Sequence, residues 1–128
     1  MKKVNVIALG MAVLLVLCLI SSKKNSFERT VDEKLIHIVI PKDDHIRFSS
    51  SPYEYMNTEE SKTDYEYIVS HGDKSLRYML RKFASSKDDG LQEYIMALAC
   101  SEILQEDPAA KDWDSGRKWY NDRFANTE

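Results

Sequence analysis

Residues 91–105 read LQEYIMALACSEILQ, and as a helix this stretch is apolar around most of its circumference. Its polar residues form only a narrow stripe: Glu93, Ser101 and Gln105, with Gln92 and Glu102 beside it. A helix that is apolar over so wide an arc is covered by more than one neighbouring element. The pattern therefore predicts that residues 91–105 form the central helix of a small domain, and Pro108 marks its end.

Apolar residues recur at helical spacing in three further stretches, which begin near Thr63, Lys74 and Ser115. Gly72 suits the end of the first helix, because glycine readily adopts the backbone conformation found just past a helix C-terminus. Other residues suit helix starts: Asp73 as an N-cap, and Thr63 with Glu66 and Asp89 with Gln92 as capping boxes. The sequence therefore predicts a mainly α fold, with a bundle of about four helices over residues 63–125.

A different pattern precedes the bundle. Residues 35–40 read LIHIVI, a β-branched run typical of a strand. A polar turn follows it, and the Ile-Arg-Phe sequence at 46–48 supplies a second short strand. The sequence therefore predicts a β-hairpin over residues 33–48. A linker at 23–32 precedes this hairpin, and a polar, partly irregular stretch at 49–62 follows it.

The first residues carry the pattern of a membrane-targeting segment. Lys2 and Lys3 precede an apolar run at residues 4–20, in which Asn5 is the only strongly polar side chain. As a helix this run would be about 25 Å long, near the lower limit for a bilayer core of about 30 Å. We therefore predict that residues 1–22 are a signal peptide or a membrane anchor that forms an N-terminal hydrophobic helix.

The residues leave the cleavage and the orientation of this leader open. Ser21 and Ser22 form a weak cleavage site, and Leu17 occupies the position before Cys18 where a lipoprotein signal normally has a small residue. Lysines flank the apolar run on both sides, so their count does not favour one topology. A short charged tail before the run is typical of an export signal, and we therefore place the domain outside the membrane.

Composition indicates one folded domain after the leader, at residues 33–128. Hydrophobic residues make up 43% and charged residues 30% of the chain, values that are ordinary for a globular protein. The formal charge is −3, and removing the leader lysines Lys2 and Lys3 leaves 16 of the 18 basic residues against 21 acidic ones. Nucleic-acid binding requires a basic surface, so the bulk charge argues against it.

No residue pattern indicates catalysis, a cofactor or a metal ion. The histidines His37, His45 and His71 have no spacing that suits a pair of metal ligands. The stretch 70–73, Ser-His-Gly-Asp, contains the residue types of a hydrolytic triad, but adjacent residues do not converge in space. Cys100 lies on the apolar arc of the central helix, where a thiol is usually a small buried hydrophobe. We therefore predict a non-enzymatic protein without a cofactor or a metal site.

The second predicted bundle helix is basic. It carries Lys74, Arg77, Arg81 and Lys82, of which Arg77 and Arg81 lie one turn apart on one face. These four cations are the predicted partner-contact residues, since they suit an acidic partner or anionic lipid; a solvated helix face is the alternative. Four tyrosines suit either an interface or core packing: Tyr53, Tyr55, Tyr65 and Tyr67.

Two parts of the bundle resemble known proteins. The sequence GDKSL at 72–76, the turn at 85–89 and the Ala-Leu-Ala sequence at 97–99 together resemble one HEAT-type helical hairpin. An array needs about three such units, and the chain has no second copy. Residues 91–104 with 113–120 are similar to small uncharacterised exported bacterial proteins. HEAT-type units generally form binding surfaces, so the resemblance implies protein contact and no reaction.

These patterns together predict a membrane-tethered or secreted, non-enzymatic protein-binding module. The membrane contact would be made by residues 4–20, and the protein partner would bind the bundle surface and the stretch at 49–62. The predicted location is the cell membrane with the domain outside, or the medium if the leader is removed. Two alternatives follow, an immunity-type or inhibitory protein that acts at the membrane, and a small exported enzyme.

Overall fold

Helices account for most of the described part of the chain, which comprises residues 24–125 of this computed structural model. Its seven α-helices are α1 (Ser26–Val39), α2 (Asp44–Arg47), α3 (Pro52–Tyr55), α4 (Glu59–Ser70), α5 (Asp73–Ser85), α6 (Leu91–Ile103) and α7 (Gly116–Tyr120). A 3-10 turn and a π-helical turn complete the described part: Pro108–Ala110 and Asn121–Ala125. None of its residues lies in a strand, and the predicted mainly α fold with a helical bundle is confirmed.

Helix α6 is the central helix, as its sequence predicts. It packs against α1, α3, α4, α5 and α7. Its buried apolar residues are Ile95, Met96, Ala97, Ala99 and Cys100. The helix start differs from the predicted Asp89–Gln92 capping box, because the Glu93 carboxylate accepts a 3.0 Å hydrogen bond from the Gly90 N–H. Helices α5 and α6 form the predicted helical hairpin, and its kinship with HEAT-type units stays a prediction.

The β-hairpin predicted over residues 33–48 is wrong, because this stretch is helical in α1 and α2. Val31, Leu35 and Ile38 recur at helical spacing and are completely buried, so tertiary packing overrides the β-branched propensity of the run. The Asn25 side chain caps α1 by accepting a 2.8 Å hydrogen bond from the Glu28 N–H. Helix α1 therefore occupies most of the stretch 23–32 that the sequence assigned to a linker.

Helix α4 begins one turn earlier than the sequence predicts. Thr58 and Ser61 form the capping box, with the Ser61 N–H donating to Thr58 Oγ1 and the Thr58 N–H donating to Ser61 Oγ. The predicted box at Thr63 and Glu66 is not formed, and the Thr63 hydroxyl donates to the Glu59 carbonyl oxygen instead. The early start places Glu59 and Glu60 in the first turn of α4.

The C-terminal segment packs on the core much as predicted. Trp119 is completely buried and Trp113 almost so, and the Trp113 ring lies 5.1 Å from that of Tyr94. The predicted last helix changes type along its length, since α7 ends at Tyr120 and a π-helical turn follows it to Ala125. Gly116 opens α7 directly against the backbone of α6. This close approach fixes the two helices against each other.

The predicted leader, residues 1–22 with its hydrophobic helix, lies outside the described residues. Within residues 24–125 none of the helices combines the length and the apolar character needed to cross a bilayer.

Candidate functional site

A cleft of about 630 Å³ lies between the end of α1 and the start of α4. Carboxylates dominate its charged lining: Asp43, Glu59, Glu60 and Asp64. Ile40 and Pro41 add apolar surface, and His37 and Lys42 are its basic residues. We refer to this site as the acidic cleft.

Local helix signals build the acidic cleft. Pro41 lacks a backbone N–H and cannot continue α1, so the chain turns there. Asp43 then caps α2 by accepting a 2.9 Å hydrogen bond from the His45 N–H. Across the cleft, Glu59 and Glu60 occupy the first turn of α4, where the helix dipole favours negative charge. The packing of α1 against α4 brings these carboxylates to one opening.

Three carboxylates of the acidic cleft make no ion pair within residues 24–125: Asp43, Glu59 and Glu60. Asp64 differs, because Lys34 Nζ lies 3.0 Å from Asp64 Oδ1 and His37 Nδ1 lies 3.6 Å from Asp64 Oδ2. The cleft therefore has a neutralised inner end and an anionic rim.

Exposed isoleucine surface adjoins the anionic rim. Ile40 is 59% exposed, and Ile36, one turn earlier on α1, is 48% exposed. Ile40 is the C-cap of α1, and its N–H still donates to the Ile36 carbonyl oxygen, so the two side chains lie on the same side of the helix end. Together they form an apolar strip, of which Ile40 lines the cleft. Lysine and arginine combine an aliphatic stem with a cationic head, and such side chains match apolar surface bordered by carboxylates.

Two of the four predicted partner-contact residues are engaged within the domain. Arg81 Nη2 pairs with Glu28 Oε1, and Lys82 Nζ lies 2.8 Å from Asp32 Oδ1. Both pairs join α5 to α1. The other two, Lys74 and Arg77, are exposed and make no ion pair within residues 24–125. The partner-contact assignment of the four stays a prediction, and the geometry separates a structural pair from an accessible pair.

Asp32 is the centre of the polar contact between α1 and α5. It accepts hydrogen bonds from Lys24 Nζ, Lys82 Nζ and the Tyr78 hydroxyl. Burial raises the pKa of Asp32, but these hydrogen bonds outweigh burial and hold the pKa below its usual value. Burial and the bond to Asp32 raise the pKa of Tyr78 to about 12. The ionised form of Asp32 therefore stabilises the folded chain.

We expect Asp32→Asn to lower the free energy of unfolding by about 2 kcal/mol at neutral pH, because charge-assisted hydrogen bonds are lost. A carboxyl group with a lowered folded pKa stabilises above its unfolded pKa of about 3.9 and loses that contribution as pH falls through its folded pKa. The difference between Asp32→Asn and the parent should therefore shrink progressively as the pH falls below about 3.9. Urea denaturation at neutral pH and well below about pH 3.9 measures this difference in the free energy of unfolding, with Asp88→Asn as an exposed control. An equal difference under the two conditions would contradict the stabilising role of the Asp32 carboxylate.

Most of the predicted recognition tyrosines pack within the domain. Tyr55 is buried and donates to the Arg47 carbonyl oxygen, while the Tyr65 hydroxyl donates to Glu102 Oε2. The Tyr67 ring lies 4.1 Å from the His71 ring, tilted by 40°. Tyr53 is the most exposed of the four at 53%, although its hydroxyl lies 3.4 Å from that of Tyr94. It borders a shallow groove of about 310 Å³ whose other lining residues are Met56, Lys62, Tyr65, Glu66 and Leu98.

The candidate catalytic residues do not form a complete catalytic set in the described part of the chain. Ser70 Oγ lies 3.5 Å from His71 Nδ1, but the Ser70 hydroxyl donates to the Tyr67 carbonyl oxygen, and His71 Nδ1 lies 2.7 Å from that same oxygen. Within residues 24–125 neither side chain bonds to the Asp73 carboxylate, so the third member of a triad is missing. Cys100 is completely buried, and burial raises the pKa of its thiol. Within residues 24–125 no cluster of three or more His, Cys, Asp or Glu side chains is arranged to hold a metal ion. The non-enzymatic assignment stays a prediction.

The sequence patterns do not predict the acidic cleft. On its sequence alone, the acidic pair at residues 59–60 suits a helix N-terminus or a solvated loop, and the pair at 43–44 suits a polar turn. Both assignments are locally correct. The available signal is that acidic pairs occur on both sides of a polar stretch. This repetition indicates a common site only once α1 and α4 are known to be adjacent.

No protein-family model matches this chain, and comparison with curated proteins and with solved structures finds no similar protein.

Proposed function

We propose that this chain is a non-enzymatic protein-binding module whose acidic cleft binds a basic segment of a partner protein. The observation that carries the proposal is the exposed strip of Ile36 and Ile40, which runs into an opening bordered by three carboxylates without ion pairs in residues 24–125. Apolar contact supplies affinity, and the carboxylates select a cationic partner.

The shape of the acidic cleft favours a peptide segment as its occupant. A volume of about 630 Å³ accommodates a few side chains, and the cleft is open to solvent. A lysine or arginine can place its stem on Ile40 and Pro41 while its charged head reaches Glu59 or Glu60. The binding is expected to be salt-sensitive, because exposed charge pairs are screened at high ionic strength.

The proposed location is the outer side of the cell membrane, with residues 4–20 as the tether. The apolar run and its preceding lysines support this location. A secreted form is the alternative if the leader is removed. Tethering places the acidic cleft at a fixed surface, where even a modest affinity for a membrane-associated partner is sufficient because the local concentration is high.

A charge-removal experiment tests the acidic cleft. We expect the variant Asp43→Asn/Glu59→Gln/Glu60→Gln to bind a fluorescent decapeptide of alternating lysine and leucine about tenfold more weakly, because three exposed ion pairs contribute about 0.5 kcal/mol each. Fluorescence anisotropy with the full chain in detergent measures the change. The loss should be smaller at about 500 mM than at about 50 mM salt.

A matched variant controls for the overall loss of charge. Glu54→Gln/Asp88→Asn/Asp114→Asn removes three exposed carboxylates elsewhere and should bind the decapeptide within about twofold of the parent, a change of less than 0.5 kcal/mol. Equal weakening in both variants would refute the cleft as the binding site. A photo-crosslinking residue at Ile40 in the native membrane then identifies the natural partner, and its adduct should disappear in the cleft variant.

A further inference from the structure

The start of α1 carries a cluster of aromatic rings and a lysine. The His71 ring lies 4.1 Å from the Tyr67 ring and 5.2 Å from the Phe27 ring, measured between centroids. Lys74 Nζ lies 4.4 Å above the Phe27 ring. The cluster of Phe27, Tyr67, His71 and Lys74 joins the start of α1 to the end of α4 and the start of α5. We refer to it as the aromatic–lysine cluster.

The aromatic–lysine cluster lies close in sequence to the predicted tether. The apolar run ends at Ile20 and α1 begins at Ser26. A chain of five intervening residues spans at most about 20 Å even when fully extended. If residues 4–20 lie in a bilayer, the first turn of α1 and the cluster around Phe27 are held within that distance of the membrane surface.

The accessible cations lie beside the same cluster. Lys74 belongs to it, and Arg77 is exposed one turn further along α5. Neither forms an ion pair within residues 24–125, in contrast to Arg81 and Lys82, which pair with α1. Asp73 is an exposed neighbour of opposite charge. Lys34 Nζ also lies 4.7 Å from the Tyr67 ring, but it is paired with Asp64 at 3.0 Å. The rings of the cluster keep Lys74 in place without neutralising it.

We propose that the aromatic–lysine cluster and Arg77 contact the anionic headgroups of the membrane that holds the leader. This inference rests on the tethered form of the proposed function. Tyrosine and phenylalanine suit the boundary between water and lipid, and each cation near an anionic surface contributes about 1 kcal/mol. A lipid surface is favoured over an acidic protein because the short tether holds this end of the bundle near the bilayer. The contact would orient the bundle on the membrane.

Fluorescence quenching in reconstituted vesicles tests the lipid contact. The full chain with Cys18→Ser and Ser70→Cys is labelled with bimane at position 70, next to His71, while the buried Cys100 stays unlabelled. Vesicles of phosphatidylcholine, alone or with about one third phosphatidylglycerol, carry brominated lipid as the quencher. We expect at least twofold stronger quenching in the anionic vesicles. The variant Lys74→Gln/Arg77→Gln should lose at least half of that increase.

Matched controls separate the lipid contact from the proposed function. Lys62→Gln/Lys87→Gln removes two exposed cations elsewhere and should retain the increase. Equal quenching in both vesicles, with the chain floating with the lipid, would assign the cations to another partner and overturn the lipid contact alone. A chain that does not float with either vesicle overturns the tether and the lipid contact together. If the parent chain fails to bind the decapeptide through the acidic cleft but still shows stronger quenching in anionic vesicles, only the protein-binding function is refuted.

Discussion

Replacing Gly116 with alanine is expected to lower the free energy of unfolding by about 3 kcal/mol, because it forces an added methyl group into backbone atoms. A Cβ at this position would lie 2.0 Å from the Glu93 carbonyl oxygen and 2.7 Å from the Tyr94 nitrogen. These atoms belong to the central helix α6, so they cannot yield as the end of a flexible side chain does. The two helices α6 and α7 would have to separate.

Urea denaturation followed by circular dichroism measures this loss, and Gly90→Ala is the matched control. At Gly90 the nearest atom to an added Cβ is the Glu93 Oε1 at 3.7 Å, an ordinary contact. Gly90 is the N-cap of α6, so the control should cost less than about 1 kcal/mol. A similar loss in both variants would show that the close approach at Gly116 does not decide the stability of the bundle.

Arg117, next to Gly116, explains why the turn between α5 and α6 is well defined. Its guanidinium group donates to the Phe83 and Asp88 carbonyl oxygens, and its backbone N–H donates to Asp89 Oδ1. The sequence assigned Asp89 to a capping box at the start of α6. The actual donor lies 28 residues away in the chain, beyond the range of a pattern that compares residues three or four positions apart.

The central helix was predictable because its signal is local and long. Fifteen consecutive residues at 91–105 carry one periodic pattern, and the few polar positions define a single stripe. Helix α1 was not predictable in the same way. The run at 35–40 satisfies the rules for a strand, and the residue that reveals the helical period, Val31, lies outside it within a polar segment. Burial against α4 and α6 then decides the outcome.

The candidate site was less predictable than the fold. Its carboxylates belong to two helix starts, at Asp43 and Glu59, and each has a sufficient local explanation as a cap or a first-turn residue. Their common function as the rim of one cleft follows from the packing of α1 on α4. In the basic helix α5, one sequence pattern contains cations with different roles. Arg81 and Lys82 pair with Glu28 and Asp32, while the other two cations stay accessible.

The second large effect is expected at Trp119, where replacement by alanine should lower the free energy of unfolding by about 4 kcal/mol. Trp119 is completely buried, and its ring lies 5.9 Å from that of Phe83. Its indole N–H donates a 2.8 Å hydrogen bond to Glu106 Oε1, while Arg123 Nε lies 2.7 Å from Glu106 Oε2. Alanine would leave a cavity between α5, α6 and α7 and remove one donor from Glu106.

Trp119→Phe keeps one aromatic ring in the core, so it removes the indole donor while leaving a much smaller cavity than alanine does. It should cost about 1–2 kcal/mol, since Glu106 remains paired with Arg123. Urea denaturation of both variants checks the order, and a loss for phenylalanine as large as that for alanine would assign the effect to the hydrogen bond. Since α7 contributes no residue to the acidic cleft, the folded Trp119→Phe chain should still bind the lysine–leucine decapeptide as the parent does. Core stability and partner binding would then be independent properties of the same bundle.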